Sequence, residues 1–309
     1  MNCPGNSAPS PGGICPNPSC FVLGPHRSGT TIVCNALAES RAFVCLTAAD
    51  IVAFHQRTGA QDAVPHDRDP RSTLAALARR GETRRIDAVR VTEDLPEEYG
   101  FLVPGRRLTP ETASVVTAVY EDLARGAARE ARYLLRNPWD LSRAPRILEL
   151  FPEASFVFVV RDPVETIDSQ LQAARTLYAE PSEYHALLDL RYRRMLGRPR
   201  LFALYRFLTG RPRMVDALTH SFARSTTRWI ESLDRLPPER WVVARYEDLV
   251  AEPRKELGRL YAFLGLSPER IPALAGEIRP GSRTLHPHVA AREAKIRSRT
   301  RLYRDWFGY

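Results

Sequence analysis

Gly24-Pro25-His26-Arg27-Ser28-Gly29-Thr30-Thr31 stands between an apolar run, Cys20-Phe21-Val22-Leu23, and a second one, Ile32-Val33-Cys34-Asn35-Ala36-Leu37. The first run reads as a buried strand and the second as the opening turns of a helix. A glycine-bearing loop at such a handover aims backbone N–H groups at one point, which the helix dipole makes favourable for an anion. The outline is that of a phosphate loop, G-x-x-x-x-G-K-[ST], whose lysine reaches the β/γ-phosphates and whose hydroxyl holds Mg²⁺. Here Thr30 stands at the lysine position, and a cation, Arg27, comes earlier. The loop is therefore built for a phosphate group, but not for a conventional metal-bound triphosphate.

The same strand-to-helix handover recurs further along the chain. Phe156-Val157-Phe158-Val159-Val160 is a continuous apolar run, as expected of a parallel strand buried on both faces. Arg161 leaves its C-terminal end, where open α/β sheets place their ligands, and Pro163 can open a helix that carries Ser169 two turns along. Tyr133-Leu134-Leu135-Arg136-Asn137-Pro138 reads as another strand. Trp241-Val242-Val243-Ala244-Arg245 reads as a last one, continuing into Tyr246-Glu247-Asp248-Leu249 and a helix that closes on Phe263-Leu264-Gly265. Thr109-Pro110-Glu111 is a helix start signal for a long helix reaching Arg132, and a shorter helix is expected over Pro145 to Leu150. The alternation predicts an α/β fold: a three-layer sandwich with a central parallel sheet. Residues 1–18, rich in Pro, Gly, Ser and Asn, read as a disordered tail, and 19–309 as one domain.

In this order the segments resemble the sulfotransferases that use 3′-phosphoadenosine 5′-phosphosulfate (PAPS), whose loop is written P-[KR]-S-G-T-T. The resemblance implies the P-loop NTPase-like fold of that family and sulfuryl transfer to an acceptor hydroxyl without a metal. It implies that Arg27, Ser28, Gly29, Thr30 and Thr31 hold the 5′-phosphosulfate and that Arg161 and Ser169 bind the 3′-phosphate. It further implies that Tyr246 lies near the adenine. Glu247 and Asp248 read as capping residues rather than chemical ones. A late basic loop completes the 3′-phosphate site in the family, and Lys295, Arg297 and Arg299 are all candidates.

Two departures concern the reaction. Arg136 occupies the place of the family's lysine, which keeps the charge but removes a ready proton donor. Pro138 occupies the place where cytosolic relatives carry a catalytic histidine. The proton acceptor must come from elsewhere: the resemblance to Golgi-type and tyrosyl-protein members, which place a carboxylate base about this far after the loop, implies Asp50, and His55 is the alternative by a pKa suited to neutral pH. His66, beside Asp67 and Asp69, reads as part of a solvated loop.

Composition fits a globular enzyme of 309 residues, 44% of them hydrophobic. The net charge of +9 comes with 43 arginines, two lysines and no nucleic-acid-binding motif, so high-GC coding bias explains it better than nucleic acid does. No apolar run is long enough to span a membrane and no secretory signal is present, which leads to the expectation of a cytoplasmic bacterial protein. The five cysteines form no CxxC pair, and His286-Pro287-His288 lacks a third ligand, so neither a disulfide framework nor a metal is expected.

A helical insert between Ser169 and Trp241, together with residues 50–105, is expected to cover the acceptor site. Its aromatic and basic character also admits an acidic carrier protein as partner, while the high-GC bacterial character and the absence of a secretory signal favour a small-molecule hydroxyl acceptor, a natural product or lipid. Acceptor identity and oligomeric state stay open. Two other readings stand beside this one: a phosphotransferase on a degenerate P-loop, and a nucleotide-binding protein without turnover.

Overall fold

The computed structural model describes residues 19–59, 69–87, 89–125, 132–271 and 284–309. The expected N-terminal tail and His66 lie outside the described residues. Seven strands follow in chain order: β1 (Ser19–Leu23), β2 (Phe43–Cys45), β3 (Thr83–Arg84), β4 (Val89–Arg90), β5 (Arg132–Arg136), β6 (Ala154–Val160) and β7 (Trp241–Arg245). Five of them form a parallel sheet in the order β2-β5-β1-β6-β7, and β3 and β4 pair as a small antiparallel hairpin.

Helices cover both faces of the sheet, which is why its strands lack polar alternation. Phe21, Leu23, Leu135, Phe156, Phe158 and Val160 point into one core. Cys20, Val22, Leu134, Val157, Val159 and Ala244 point into the other. The period of two along β1 and β6 thus divides a continuous apolar run between two layers. On the second face lie the helices Thr30–Glu39 and Pro253–Phe263, through Val33, Leu37, Leu257 and Leu260. On the first lie Pro110–Ala124 and the long Pro212–Leu233, whose fully buried Trp229 stacks on Phe307 with centroids 5.0 Å apart.

Several boundaries differ from the expectation. The long helix is Pro110–Ala124, capped by Thr109 in a reciprocal box with Thr112, and Arg132 already belongs to β5. The last strand ends at Arg245, so Tyr246-Glu247-Asp248-Leu249 opens a helix, Tyr246–Ala251. Residues 50–105 are more than a polar cover. They supply core side chains at Leu74, Leu77, Val91, Leu95 and Tyr99. The insert after Ser169 is helical as read, in segments Pro163–Ala179, Glu183–Leu188, Leu190–Leu196, Pro199–Thr209 and Pro212–Leu233.

Candidate active site

Strand register gathers the site. Val22 lies opposite Arg136, Leu23 opposite Phe158 and Val160 opposite Arg245. The loop after β1, the last residue of β5 and the residue after β6 therefore emerge at one edge of the sheet. The β6–β7 register also sets Arg161 beside Tyr246, with its guanidinium carbon 4.2 Å from the ring centroid. These groups line a cavity of about 300 Å³.

The loop is shaped by close contacts. A Cβ on Gly24 would lie 2.4 Å from the carbonyl oxygen of Val159, so only glycine lets β1 turn here. Gly29, the N-cap of Thr30–Glu39, has φ 104° and would meet the ring of Tyr246 at 2.7 Å with any side chain. Arg27 adopts φ 70°, a region non-glycine residues seldom occupy. Its side chain is held in place by Ser169, which accepts a hydrogen bond from Nε at 3.3 Å, and by Asp87 at 3.5 Å. The first N–H groups of the following helix have no intrahelical acceptor. Ser28 is fully buried beneath the loop, with a hydroxyl that has no partner among the described residues.

Arg136 is 2% exposed. It donates to the Thr31 hydroxyl, to the carbonyl of Pro96 at 3.1 Å and to Glu97 at 3.4 Å. Glu97 also accepts from Arg84 at 2.8 Å and from the Tyr184 hydroxyl at 2.7 Å, so its charge is fully engaged. Glu98 differs. Among the described residues its one ion pair is with Arg136 at 4.0 Å, its side chain is 16% exposed, and it faces the cavity. Burial pushes its carboxyl above the ordinary carboxylate range, against the opposing pull of Arg136. Two backbone hydrogen bonds, Ala48 N–H to Leu95 and Glu97 N–H to Leu46, pin this carboxylate pair beside the start of the helix Ala48–Arg57.

Of the residues singled out in the sequence, Arg27, Gly29, Thr30, Thr31, Arg136, Arg161 and Tyr246 line this cavity. Ser169 reaches it through Arg27, whereas Arg161 is paired with Glu165 at 2.9 Å. Asp50 and His55 are not brought to it. The Asp50 carboxylate accepts from both the N–H (2.8 Å) and the hydroxyl (2.6 Å) of Thr47 in a capping box. Both ring nitrogens of His55 lie on backbone carbonyls, of Phe101 (3.0 Å) and Leu187 (3.3 Å), and the ring borders a different cavity. Among the late basic residues, Arg297 lies 3.6 Å from Asp162, while Lys295 is held by Asp216 at 2.7 Å. Arg299 is exposed.

Sequence reading missed Glu98, Glu97 and the hairpin pair Arg84 and Asp87. Their one local signal is the twin carboxylate of Pro96-Glu97-Glu98-Tyr99, in which a short charged pair meets a buried aromatic residue. Among the described residues no group of His, Cys, Asp or Glu is placed to hold a metal ion, and no helix is long and apolar enough to cross a membrane. Among the described residues Cys20, Cys34 and Cys45 are free thiols.

Comparison with known proteins agrees with this architecture. Residues 18–270 match the family model described as the sulfotransferase family. Two curated relatives, each named omega-hydroxy-beta-dihydromenaquinone-9 sulfotransferase Stf3 and coming from Mycobacterium bovis and Mycobacterium tuberculosis, are 27% identical over 138 residues. That match spans 45% of this chain and 30% of theirs, so it covers less than a third of their length. Among solved structures, sulfotransferase STF9 from Mycobacterium avium aligns with a TM-score of 0.63 at 15% identity, over 94% of this chain and 76% of that one. Sulfotransferase STF1 from M. tuberculosis aligns with a TM-score of 0.56 at 16% identity, over 92% and 76%. At such identities the likeness is one of fold.

Proposed function

Because the chain belongs to the sulfotransferase family, we propose that it transfers the sulfuryl group of PAPS to a hydroxyl of a small-molecule acceptor. The observation that carries this reading is the convergence of Arg27, Arg136 and Arg161 with a phosphate loop on one cavity that also holds an incompletely paired carboxylate, Glu98.

The residues fit the nucleotide. The orphaned hydroxyl of Ser28, the cradle a Cβ on Gly29 would fill, and the Arg161–Tyr246 stack each suit an anionic ligand with a planar base. PAPS supplies a sulfuryl group on a good leaving phosphate, and that group carries one negative charge, so fixed cations can serve without Mg²⁺. Arg27 and the N–H groups of Thr30 and Thr31 bind the 5′ end. Arg136 sits between the loop hydroxyl of Thr31 and Glu98, where it neutralises charge as the bond to the bridging oxygen breaks. Arg161 and Ser169 serve the 3′-phosphate, with Arg297 as the late basic residue beside them.

Glu98 takes the acceptor proton in this reading, in place of Asp50 or His55. Its raised pKa makes it a stronger base than a solvated carboxylate, and unlike Asp50 it is not committed to a helix cap. Arg27 holds Asp87 at 3.5 Å, against 2.7 Å for Arg84 and Asp87. The looser contact is the one that a sulfonate oxygen replaces.

Calorimetry with 3′,5′-adenosine bisphosphate and with Mg·ATP, on wild type and Arg161→Ala, tests the assignment. Preferential bisphosphate binding, weakened in the variant, is expected. A preference for Mg·ATP, or bisphosphate affinity indifferent to Arg161, would overturn it in favour of phosphoryl chemistry.

A further inference from the structure

The helix Pro199–Thr209 is apolar yet not packed away. Seven of its eleven residues are apolar, but Thr209 is its one buried residue. Leu204, Tyr205, Phe207 and Leu208 are 49%, 39%, 54% and 39% exposed, and they are four of the seven exposed large hydrophobic residues among the described ones. At spacings of three and four, Leu204, Phe207 and Leu208 share one face. Such a face has no reason to stay in water.

Along the chain between Asp189 and Asp216 the charge is of one sign. Between positions 190 and 215 stand eight arginines, at 191, 193, 194, 198, 200, 206, 211 and 213, and not one Asp or Glu. Seven of the eight are exposed, all but Arg193. Elsewhere in the protein arginines are commonly paired, but none of these eight forms an ion pair among the described residues. Arg211 instead lies over the ring of Phe207 at 4.0 Å. Apolar side chains on a helix, ringed by arginines whose stems can lie along an apolar surface while their heads stay at the polar boundary, match the interfacial zone of a membrane.

We propose that the helix Pro199–Thr209 and its arginine collar are a docking surface for an anionic lipid bilayer, lying in the headgroup layer rather than spanning it. Charge complementarity selects anionic over zwitterionic lipid. Continuity with the interior favours lipid over an acidic protein. Tyr205 stacks on Tyr178 at 5.2 Å, and Tyr178 lines a cleft of about 460 Å³ with Trp139, Leu177, Leu218 and Phe222 that reaches His26 and Arg27. An acidic partner would satisfy the arginines without needing an apolar passage behind them. Docking itself does not rest on the sulfuryl-transfer reading, since it is measured without nucleotide.

Co-sedimentation of the full chain with vesicles of phosphatidylcholine, alone or mixed with phosphatidylglycerol, tests the surface. Binding to the mixed vesicles is expected to be about tenfold tighter or more, and to weaken as salt shortens the range of the arginine field. The Leu204→Ser, Phe207→Ser double variant should lose about tenfold. Arg200→Gln and Arg206→Gln should each lose about fivefold, and they leave the apolar face intact should the double variant misfold. Bisphosphate affinity should be the same in all, which separates this surface from the nucleotide site. No affinity for the anionic vesicles, or affinity unchanged in every variant, would overturn the proposal. So would a complex with an acidic carrier protein or a second copy of the chain that these variants abolish while vesicles are not bound.

Discussion

The guanidinium of Arg161 rests against the ring of Tyr246, 4.2 Å from its centroid, because β6 and β7 pair with Val160 opposite Arg245. The contact is to the ring face and does not need the phenol oxygen. Tyr246→Phe should therefore bind 3′,5′-adenosine bisphosphate within about twofold of wild type, whereas Tyr246→Ala should lose about tenfold, the worth of a partly desolvated cation–π contact and a stacking surface. Calorimetric titration of the two variants decides between ring and hydroxyl. Equal losses in both would assign the role to the oxygen.

Glu98 gives a prediction with two readouts. As the proton acceptor, its replacement in Glu98→Gln should lower kcat by about 10²–10⁴ while bisphosphate affinity is retained. The base works when ionised and its pKa is raised, so wild-type kcat should climb with pH through a limb lying above the ordinary carboxylate range, and that limb should vanish in the variant. Stability should move the other way. A carboxyl whose folded pKa is raised contributes stability that is present below its unfolded pKa and lost as pH rises through the folded one. Glu98→Gln should thus unfold at higher urea than wild type at neutral pH, with the gain shrinking in acid. A variant that is both slower and less stable at neutral pH would mark Glu98 as structural.

What the sequence made legible was whatever depends on neighbours in the chain. The loop from Gly24 to Thr31, the buried run to Val160 and the arginines at strand ends could be read because apolar period, glycine and the handover to a helix are local signals. Glu98 and Asp87 could not. Their place in the cavity depends on the extended segment Leu95–Glu97 bonding to Leu46 and Ala48, about fifty positions away, and on a hairpin of two-residue strands with no periodicity to find. Asp50 is the opposite case: Thr47 and Asp50 form a sound capping box, and a carboxylate at N3 serves the helix first.

Gly29 tests the cradle directly. Gly29→Ala combines φ 104° with a Cβ placed 2.7 Å from the Tyr246 ring, so it should cost about 1–3 kcal/mol in strain and push Tyr246 from Arg161. Bisphosphate affinity should fall with it. Gly59→Ala is the control, since Gly59 also has a positive φ, 64°, but no described residue lies within 4 Å of its added Cβ. Chemical denaturation and nucleotide titration of both variants should separate backbone strain, common to the pair, from the steric contact that Gly29 alone makes.

His185 is buried and its pKa is lowered to about 4, chiefly by that burial. The unfolded chain binds a proton there near the ordinary value of about 6.5, so it holds more protons than the native state between these limits. Stability should therefore fall as pH drops through that window, by on the order of 2 kcal/mol at about pH 5 from this one ring. His185→Gln cannot titrate and should flatten that part of the profile in urea unfolding followed from neutral pH downward. An unchanged slope would place the acid sensitivity elsewhere.

The C-terminal segment supplies the last test. Tyr303 is 1% exposed, and its hydroxyl accepts the backbone N–H of Arg161 at 3.1 Å and donates to the carbonyl of the same residue at 3.2 Å. Its ring packs against Phe222 and Phe307. A residue beyond the family-matched segment 18–270 thus fixes the backbone that aims Arg161. Tyr303→Phe keeps the packing and removes both bonds at the end of β6. It should cost about 1–3 kcal/mol in stability. Arg161 then samples more than one direction, so the Kd for the bisphosphate should rise severalfold while kcat at saturation changes little, because no reacting atom is touched. Tyr309→Phe, which loses a hydrogen bond to Glu247 instead, should leave the affinity nearer to wild type. If Tyr303→Phe lowered stability with no change in bisphosphate Kd, the C-terminal segment would support the fold without directing Arg161.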